Sequence, residues 1–117
     1  MTVTHIVSFG FNRGTPPDAV KKLCDELLAL KDKCIHTATQ KPYLLSLKGG
    51  RDMSIEGFQS GHTHVFVSEF ASEAERNYYV REDPVHRAFV QKYILSSDSI
   101  VEKAFVVDFV AGQFEER

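Results

Sequence analysis

The sequence has few cysteines, no long apolar run and no excess of charge of one sign. Its 117 residues include two cysteines, and 14 lysines and arginines stand against 16 aspartates and glutamates. Without a Cys-x-x-Cys pair or a zinc-finger spacing, both cysteines are expected to be apolar groups in a reducing compartment. No stretch approaches the roughly 18 apolar residues of a membrane span. A membrane is therefore not an expected partner. Nucleic acid is not expected either, because binding it needs concentrated positive charge.

The size of the chain favours one domain over residues 1–117, with a polar tail from about residue 112. A single domain of this size has one modest core and no room for a large cofactor-binding architecture. No cofactor is therefore expected. The first residues lack the positively charged segment that begins a secretory signal. We therefore expect a cytoplasmic protein.

Hydrophobic periodicity predicts an α+β fold. Apolar and polar residues alternate with the two-residue period of a strand, and spacings of three and four residues typical of helices lie between the strands. The predicted strands are residues 3–11, 43–48, 62–70 and 101–110, and the predicted helices are residues 16–35, 72–80 and 84–95. The order β-α-β-β-α-α-β is ferredoxin-like, with helices on one face of a four-stranded antiparallel sheet.

The predicted helices begin at residues suited to capping. Thr15 precedes the first helix, Ser72 and Glu75 have the spacing of a capping box, and Asp83 stands before Pro84. Each of these side chains is expected to bind free backbone N–H groups at a helix start.

Apolar residues also occupy the sheet face that no helix covers. Phe105, Val107 and Phe109 share this face of the last strand. Such a patch is larger than a monomer usually leaves in water. We therefore expect a homodimer in which two sheets pack face to face.

The five histidines are the most informative candidates for chemistry. His62 and His64 lie two residues apart in a predicted strand, so their rings would share one face about 6.6 Å apart. Two ligands do not complete a metal site. We therefore prefer the interpretation that one histidine faces inward, that the other lies at the strand edge, and that neither binds a metal. His36 lies in a polar link and is expected to be solvated.

His5 and Asp108 are polar residues on otherwise apolar strand faces. A buried imidazole needs a hydrogen-bond partner, and a buried carboxylate is seldom unpaired. Two interpretations stay open: a structural pair, or a polar wall inside an apolar pocket.

His86 lies in the first turn of the last helix, on the same side as Phe89. The positive end of the helix dipole disfavours an imidazolium, so a lowered pKa and a neutral ring at pH 7 are expected. A neutral imidazole on an apolar wall can act as a general base. The alternative is a packed histidine with a structural role. Tyr78 and Tyr79 precede this helix, and either phenol could enter the same space.

Several short segments together resemble the stress-responsive A/B barrel family of dimeric α+β barrel proteins. The segments are His5-Ile6-Val7 with Phe9, Ala29-Leu30-Lys31, Gly50-Arg51-Asp52, Thr63-His64, Asp83-Pro84-Val85-His86-Arg87-Ala88-Phe89-Val90 and Val107-Asp108-Phe109. The family includes a cofactor-independent polyketide cyclase of plants, and other members are stress proteins.

The resemblance implies roles for particular residues. His86 would remove a carbon-bound proton, a tyrosine would be its hydrogen-bonding partner, and Asp108 would orient His86. His5 and His64 would lie in the same cavity. The resulting expected sets are catalytic His86, Tyr79 and Asp108, and substrate-binding His5, His64, Phe89 and Tyr78.

The leading hypothesis is a homodimeric barrel that catalyses aldol-type cyclisation of a small apolar or aromatic, polyketide-like ligand. A base, a phenol and apolar walls suffice where the substrate's carbonyls acidify the reacting C–H. The second hypothesis is a stress-response or ligand-binding protein without catalysis. The third is a cofactor-free or metal-assisted monooxygenase.

Overall fold

The computed structural model describes residues 1–115, so the end of the expected polar tail lies outside the described residues. The elements are β1 Val3–Phe11, α1 Pro17–Lys33, β2 Ile35–His36, β3 Lys41–Pro42, β4 Leu44–Arg51, β5 His64–Phe70, α2 Glu73–Arg81, α3 Pro84–Val90, a π-helical segment Gln91–Leu95, and β6 Val101–Phe109. No helix within residues 1–115 has the length and hydropathy needed to span a membrane.

The main sheet confirms the predicted ferredoxin-like fold. Its four strands run in the order β4-β5-β1-β6, and every neighbouring pair is antiparallel. The ribbon of β2 and β3 was not predicted, because strands of two residues carry no periodicity. The last predicted helix is divided, since α3 ends at Val90 and a π-helical segment continues to Leu95.

The strand register decides which side chains share a face. His5 on β1 stands opposite Ser68 on β5 and opposite Asp108 on β6. Directly opposed residues of antiparallel strands point to the same side of a sheet. These three polar side chains therefore lie together on the helix-covered face.

The core lies between this face and the helices. Its buried members are Phe9, Leu23, Leu27, Leu30, Cys34, Leu44, Phe66, Phe70, Tyr79 and Phe89. Two glycines in the strands are closely packed. An added Cβ at Gly49 would lie 2.3 Å from the Phe66 ring. The same atom at Gly10 would lie 2.4 Å from the carbonyl oxygen of Gly61. Neither position has room for a side chain.

The start of α3 confirms one predicted cap. The Asp83 carboxylate accepts hydrogen bonds from the backbone N–H groups of Val85 (2.9 Å) and His86 (3.4 Å). Asp83 is fully buried and also accepts the hydroxyl of Tyr43 at 2.5 Å. A buried carboxylate with three donors is well compensated, so this cap holds α3 firmly.

The other two cap predictions are wrong. Pro16 occupies the N-cap position of α1, and the Thr15 hydroxyl donates instead to the carbonyl oxygen of Asn12 at 2.5 Å. Ser72 is the N-cap residue of α2 by position, but its hydroxyl donates to the Glu75 carboxylate and accepts no backbone N–H. Local alternative partners therefore compete successfully with the helix ends.

The sheet face opposite the helices is apolar, as predicted. Phe105, Val107 and Phe109 are 52%, 40% and 46% exposed. Their partners across the β1–β6 pairing are Ser8, Ile6 and Thr4, which lie on this same outer face. β6 therefore exposes a row of apolar side chains on this outer face, beside Ile6 and the hydroxyl residues Ser8 and Thr4.

Candidate functional site

An apolar cavity of about 210 Å³ lies between the helix-covered face and the helices. Its polar members are His5, Ser68, Tyr79 and His86, and its apolar walls include Val7, Phe9, Leu47, Phe66, Phe89, Val90, Ile94 and Val106. Val80 also lines the cavity, and Val80 and Val106 are 44% and 56% exposed. The cavity therefore reaches the surface between the end of α2 and β6.

His86 is fixed by a backbone contact. Its Nδ1 lies 2.9 Å from the carbonyl oxygen of Tyr79, and because a carbonyl only accepts, Nδ1 must carry the proton. The neutral ring therefore keeps the lone pair of Nε2. Burial lowers the pKa of His86 to about 4. The expected direction is confirmed, but burial rather than the helix dipole is the principal cause.

The structure separates the two tyrosines. The Tyr79 ring stacks on the ring of His86 at a centroid distance of 3.9 Å and meets the ring of His5 edge-on at 5.8 Å. Burial raises the pKa of Tyr79, so its phenol stays protonated and can donate. Tyr78 points elsewhere and stacks on His36 at 4.2 Å. Tyr79 therefore lines the cavity, and placing Tyr78 in the substrate-binding set was wrong.

Asp108 contacts His5 and not His86. One carboxylate oxygen lies 2.6 Å from Nδ1 of His5, and the other accepts from Nη1 of Arg76 at 2.6 Å. The expectation that Asp108 orients His86 is therefore wrong. The physical reason is register, because β6 pairs with β1 and sets Asp108 directly opposite His5.

Sequence reasoning missed Arg76. It lies on α2 one turn before Tyr79, and its side chain is only 16% exposed. The available signal was indirect: a carboxylate on an apolar face requires a partner, but the sequence does not say which cation supplies it.

His64 lies outside the cavity. It lines a separate groove of about 460 Å³ between α1 and β4, where its ring meets Phe11 edge-on at 5.2 Å. Burial, with a smaller effect from Arg51, lowers the pKa of His64. His64 therefore lies outside the cavity that His86 lines, and the expectation that both histidines line one cavity is wrong.

His62 and His64 do not share a sheet face. β5 begins only at His64, and Nδ1 of His62 lies 2.9 Å from the hydroxyl of Ser8 on the outer face. The predicted pairing of the two rings was therefore wrong. Among residues 1–115, no three His, Cys, Asp or Glu side chains are grouped to hold a metal ion.

Taken together, these features define a ferredoxin-like α+β protein with an apolar, histidine-bearing cavity under its helices. The model of the stress responsive A/B barrel domain family, Dabb, matches residues 3–111. The chain belongs to this family.

Known relatives agree with this assignment. The chain is 27% identical over 107 residues to the stress-response A/B barrel domain-containing protein HS1 of Arabidopsis thaliana, covering 92% of this chain and 87% of that protein. Hydroxynitrile lyase from Passiflora edulis has a similar structure, with a TM-score of 0.76, 20% identity and 97% of each chain covered. A dimeric ferredoxin-like protein from Thermobifida fusca has a TM-score of 0.68 and 21% identity, covering 93% of this chain and 90% of that one. The two structural likenesses establish the fold alone.

Proposed function

We propose that this protein is a cofactor-independent enzyme of aldol-type carbon–carbon bond chemistry, with His86 as its general base. The observation that carries the proposal is the contact of His86 Nδ1 with the Tyr79 carbonyl beside an apolar cavity, from which it follows that Nε2 carries no proton. A positioned, neutral imidazole has the free lone pair that a general base requires.

Three side chains divide the work. His86 Nε2 takes the proton from a carbon between two carbonyls, and the resulting enolate attacks a third carbonyl of the same molecule. The Tyr79 phenol donates a hydrogen bond to the enolate oxygen, which is most effective in a site that excludes water. His5, which Asp108 holds at 2.6 Å, gives a proton to the new alkoxide. Solvent returns the proton from His86 to His5 before the next turnover.

The same roles fit the reverse type of reaction. If His86 takes the hydroxyl proton of a cyanohydrin, the carbon–carbon bond breaks to give a carbonyl compound and cyanide, and His5 protonates the cyanide. The fold shared with a hydroxynitrile lyase makes this a natural second substrate class to assay. Cyclisation of a polyketide-like chain remains the first class that we propose.

The cavity limits the size of the substrate. Drug-sized ligands usually occupy pockets of roughly 300–1,000 Å³. A cavity of about 210 Å³ fits a smaller molecule, such as a short poly-β-keto chain or a single aromatic ring. Its opening beside Val80 and Val106 gives such a molecule a route to His86, which supports an enzyme over a closed barrel with a purely structural role.

The experiment offers purified protein a tetraketide thioester, the shortest chain that can close a six-membered carbon ring by this step, and mandelonitrile. Ring products are followed by mass spectrometry, and benzaldehyde is followed by its absorbance. We expect His86→Gln to lower turnover about 100-fold or more, in line with the worth of a general base. His36→Gln, which changes a histidine outside the cavity, should leave turnover unchanged.

Turnover that survives both His86→Gln and Tyr79→Phe would refute the proposed roles. Binding of such ligands to the wild type without any turnover would favour the non-catalytic alternative.

We further propose that the outer sheet face forms a homodimer. Phe105, Val107 and Phe109 are all at least two-fifths exposed on a single protomer, and burying such a face against a second copy is favourable. Analytical ultracentrifugation should give a dimer at micromolar concentration for the wild type and a monomer for Phe105→Glu. A wild-type monomer at that concentration would contradict the proposal.

A further inference from the structure

We propose that Arg76 is a positioning residue that sets the orientation and charge of His5 through Asp108. The catalytic consequence rests on the proposed function of the cavity. The chain of contacts itself does not, because it follows from the geometry of β1, β6 and α2.

The contacts form an unbroken line from surface to cavity. Nη1 of Arg76 lies 2.6 Å from Oδ2 of Asp108, and Oδ1 of Asp108 lies 2.6 Å from Nδ1 of His5. All three side chains along this line are largely buried: Arg76 is 16% exposed, Asp108 21% and His5 7%. Each carboxylate oxygen has its own charged or ring-nitrogen partner, so the carboxylate has one preferred orientation.

Arg76 is itself held in place. Its Nε donates to Oδ1 of Asn77 at 2.9 Å, and Nη2 makes a longer contact of 3.4 Å with Glu73 at the exposed end. α2 also carries Tyr79, one turn further along. The same helix therefore supplies the phenol that stacks on His86 and the guanidinium that holds Asp108.

The guanidinium changes what Asp108 does to His5. A carboxylate with an imidazole as its sole partner stabilises the imidazolium strongly, and the proton is then hard to release. Arg76 shares the negative charge of Asp108, so the carboxylate stabilises the His5 imidazolium less strongly and His5 is able to donate its proton. The other groups that face His5 are the Tyr79 ring, Ser68 on β5 and the uncharged His86 across the cavity. None of them offers a second negative charge.

Nuclear magnetic resonance of ring nitrogens in 15N-labelled protein tests this arrangement without any substrate. In Arg76→Met, His5 should titrate at a higher pH than in the wild type, because a positive charge near the Asp108–His5 pair is lost. In Asp108→Asn, it should titrate lower. Arg76→Lys should stay near the wild type, and Glu73→Gln, which removes only the negative charge at the exposed end of Arg76, should leave His5 unchanged. His5→Gln assigns the signals.

The opposite signs separate positioning from mere structural support. If Arg76 only braced α2, its loss would free the Asp108 carboxylate from His5 and lower the His5 titration, as Asp108→Asn does, and the proposal would be overturned. An unchanged His5 titration in Arg76→Met would overturn it as well. If Arg76→Met does not fold, Arg76→Gln, which removes the charge but keeps a polar side chain, carries the same test and should also raise the His5 titration.

If the protein turns over a substrate, activity assays provide a second test. Arg76→Met should lower kcat more than it changes KM, and should shift the pH profile together with the His5 titration. In a His5→Gln background, the same change should have no further effect. A wild type without activity would defeat the proposed function and leave the resonance result to decide the role of Arg76.

Discussion

Acidification should destabilise the fold through His86. Burial lowers the pKa of this residue from its ordinary 6.5 to about 4. Between these values the unfolded chain binds a proton at His86 and the folded chain does not, so stability rises with pH across that window. The contribution of His86 is complete above pH 6.5 and is lost as the pH falls towards 4. Each pH unit of the window is worth about 1.4 kcal/mol, which gives a loss of about 3 kcal/mol.

Urea unfolding followed by circular dichroism measures this loss at pH 7, 6, 5 and 4. A wild-type free energy of unfolding of roughly 5–15 kcal/mol makes a change of this size easy to resolve. His86→Gln can still donate to the Tyr79 carbonyl but cannot titrate, so its decline from pH 7 to 4 should be about 3 kcal/mol smaller. His36→Gln serves as the control histidine. The same decline in His86→Gln as in the wild type would refute the reasoning.

Three further predictions concern packing, capping and acid tolerance. Gly49→Ala should be destabilised by about 1–3 kcal/mol in chemical unfolding, because the new methyl group overlaps a core ring, whereas Gly50→Ala meets nothing within 4 Å and should be nearly neutral. Asp83→Ala should lower the free energy of unfolding by roughly 2–4 kcal/mol, since it removes a cap and leaves the buried Tyr43 hydroxyl without its acceptor. Asp83→Asn should lower it by less than half as much. Equal losses in the two variants would contradict the role of the cap. Turnover by the wild type should persist on acidification until the pH approaches about 4, where His86 becomes protonated, and an acid limb near pH 6.5 would contradict this.

Local patterns predicted what depends on neighbouring residues. The two-residue period placed His5 and Asp108 on apolar strand faces, and the Asp83-Pro84 pair placed the start of α3. In each case the relevant interactions lie within a few residues along the chain.

Contacts between elements that are distant along the chain could not be predicted from such local patterns. A shift of one residue in the β1–β6 register would turn Asp108 away from His5. Adjacent helical residues point about 100° apart, so the choice between Tyr78 and Tyr79 depended on how α2 lies against the sheet. Arg76 found its partner for the same reason, because only the docking of α2 brings a guanidinium over β6.

The contact between His86 and residue 79 has a consequence for how this protein can diverge. The main chain of residue 79 holds the proton of the imidazole, while its side chain supplies the phenol. A mutation at this position exchanges the phenol and leaves the carbonyl in place. Evolution can therefore change the side chain that stacks on His86 without removing the acceptor that fixes the tautomer of its ring.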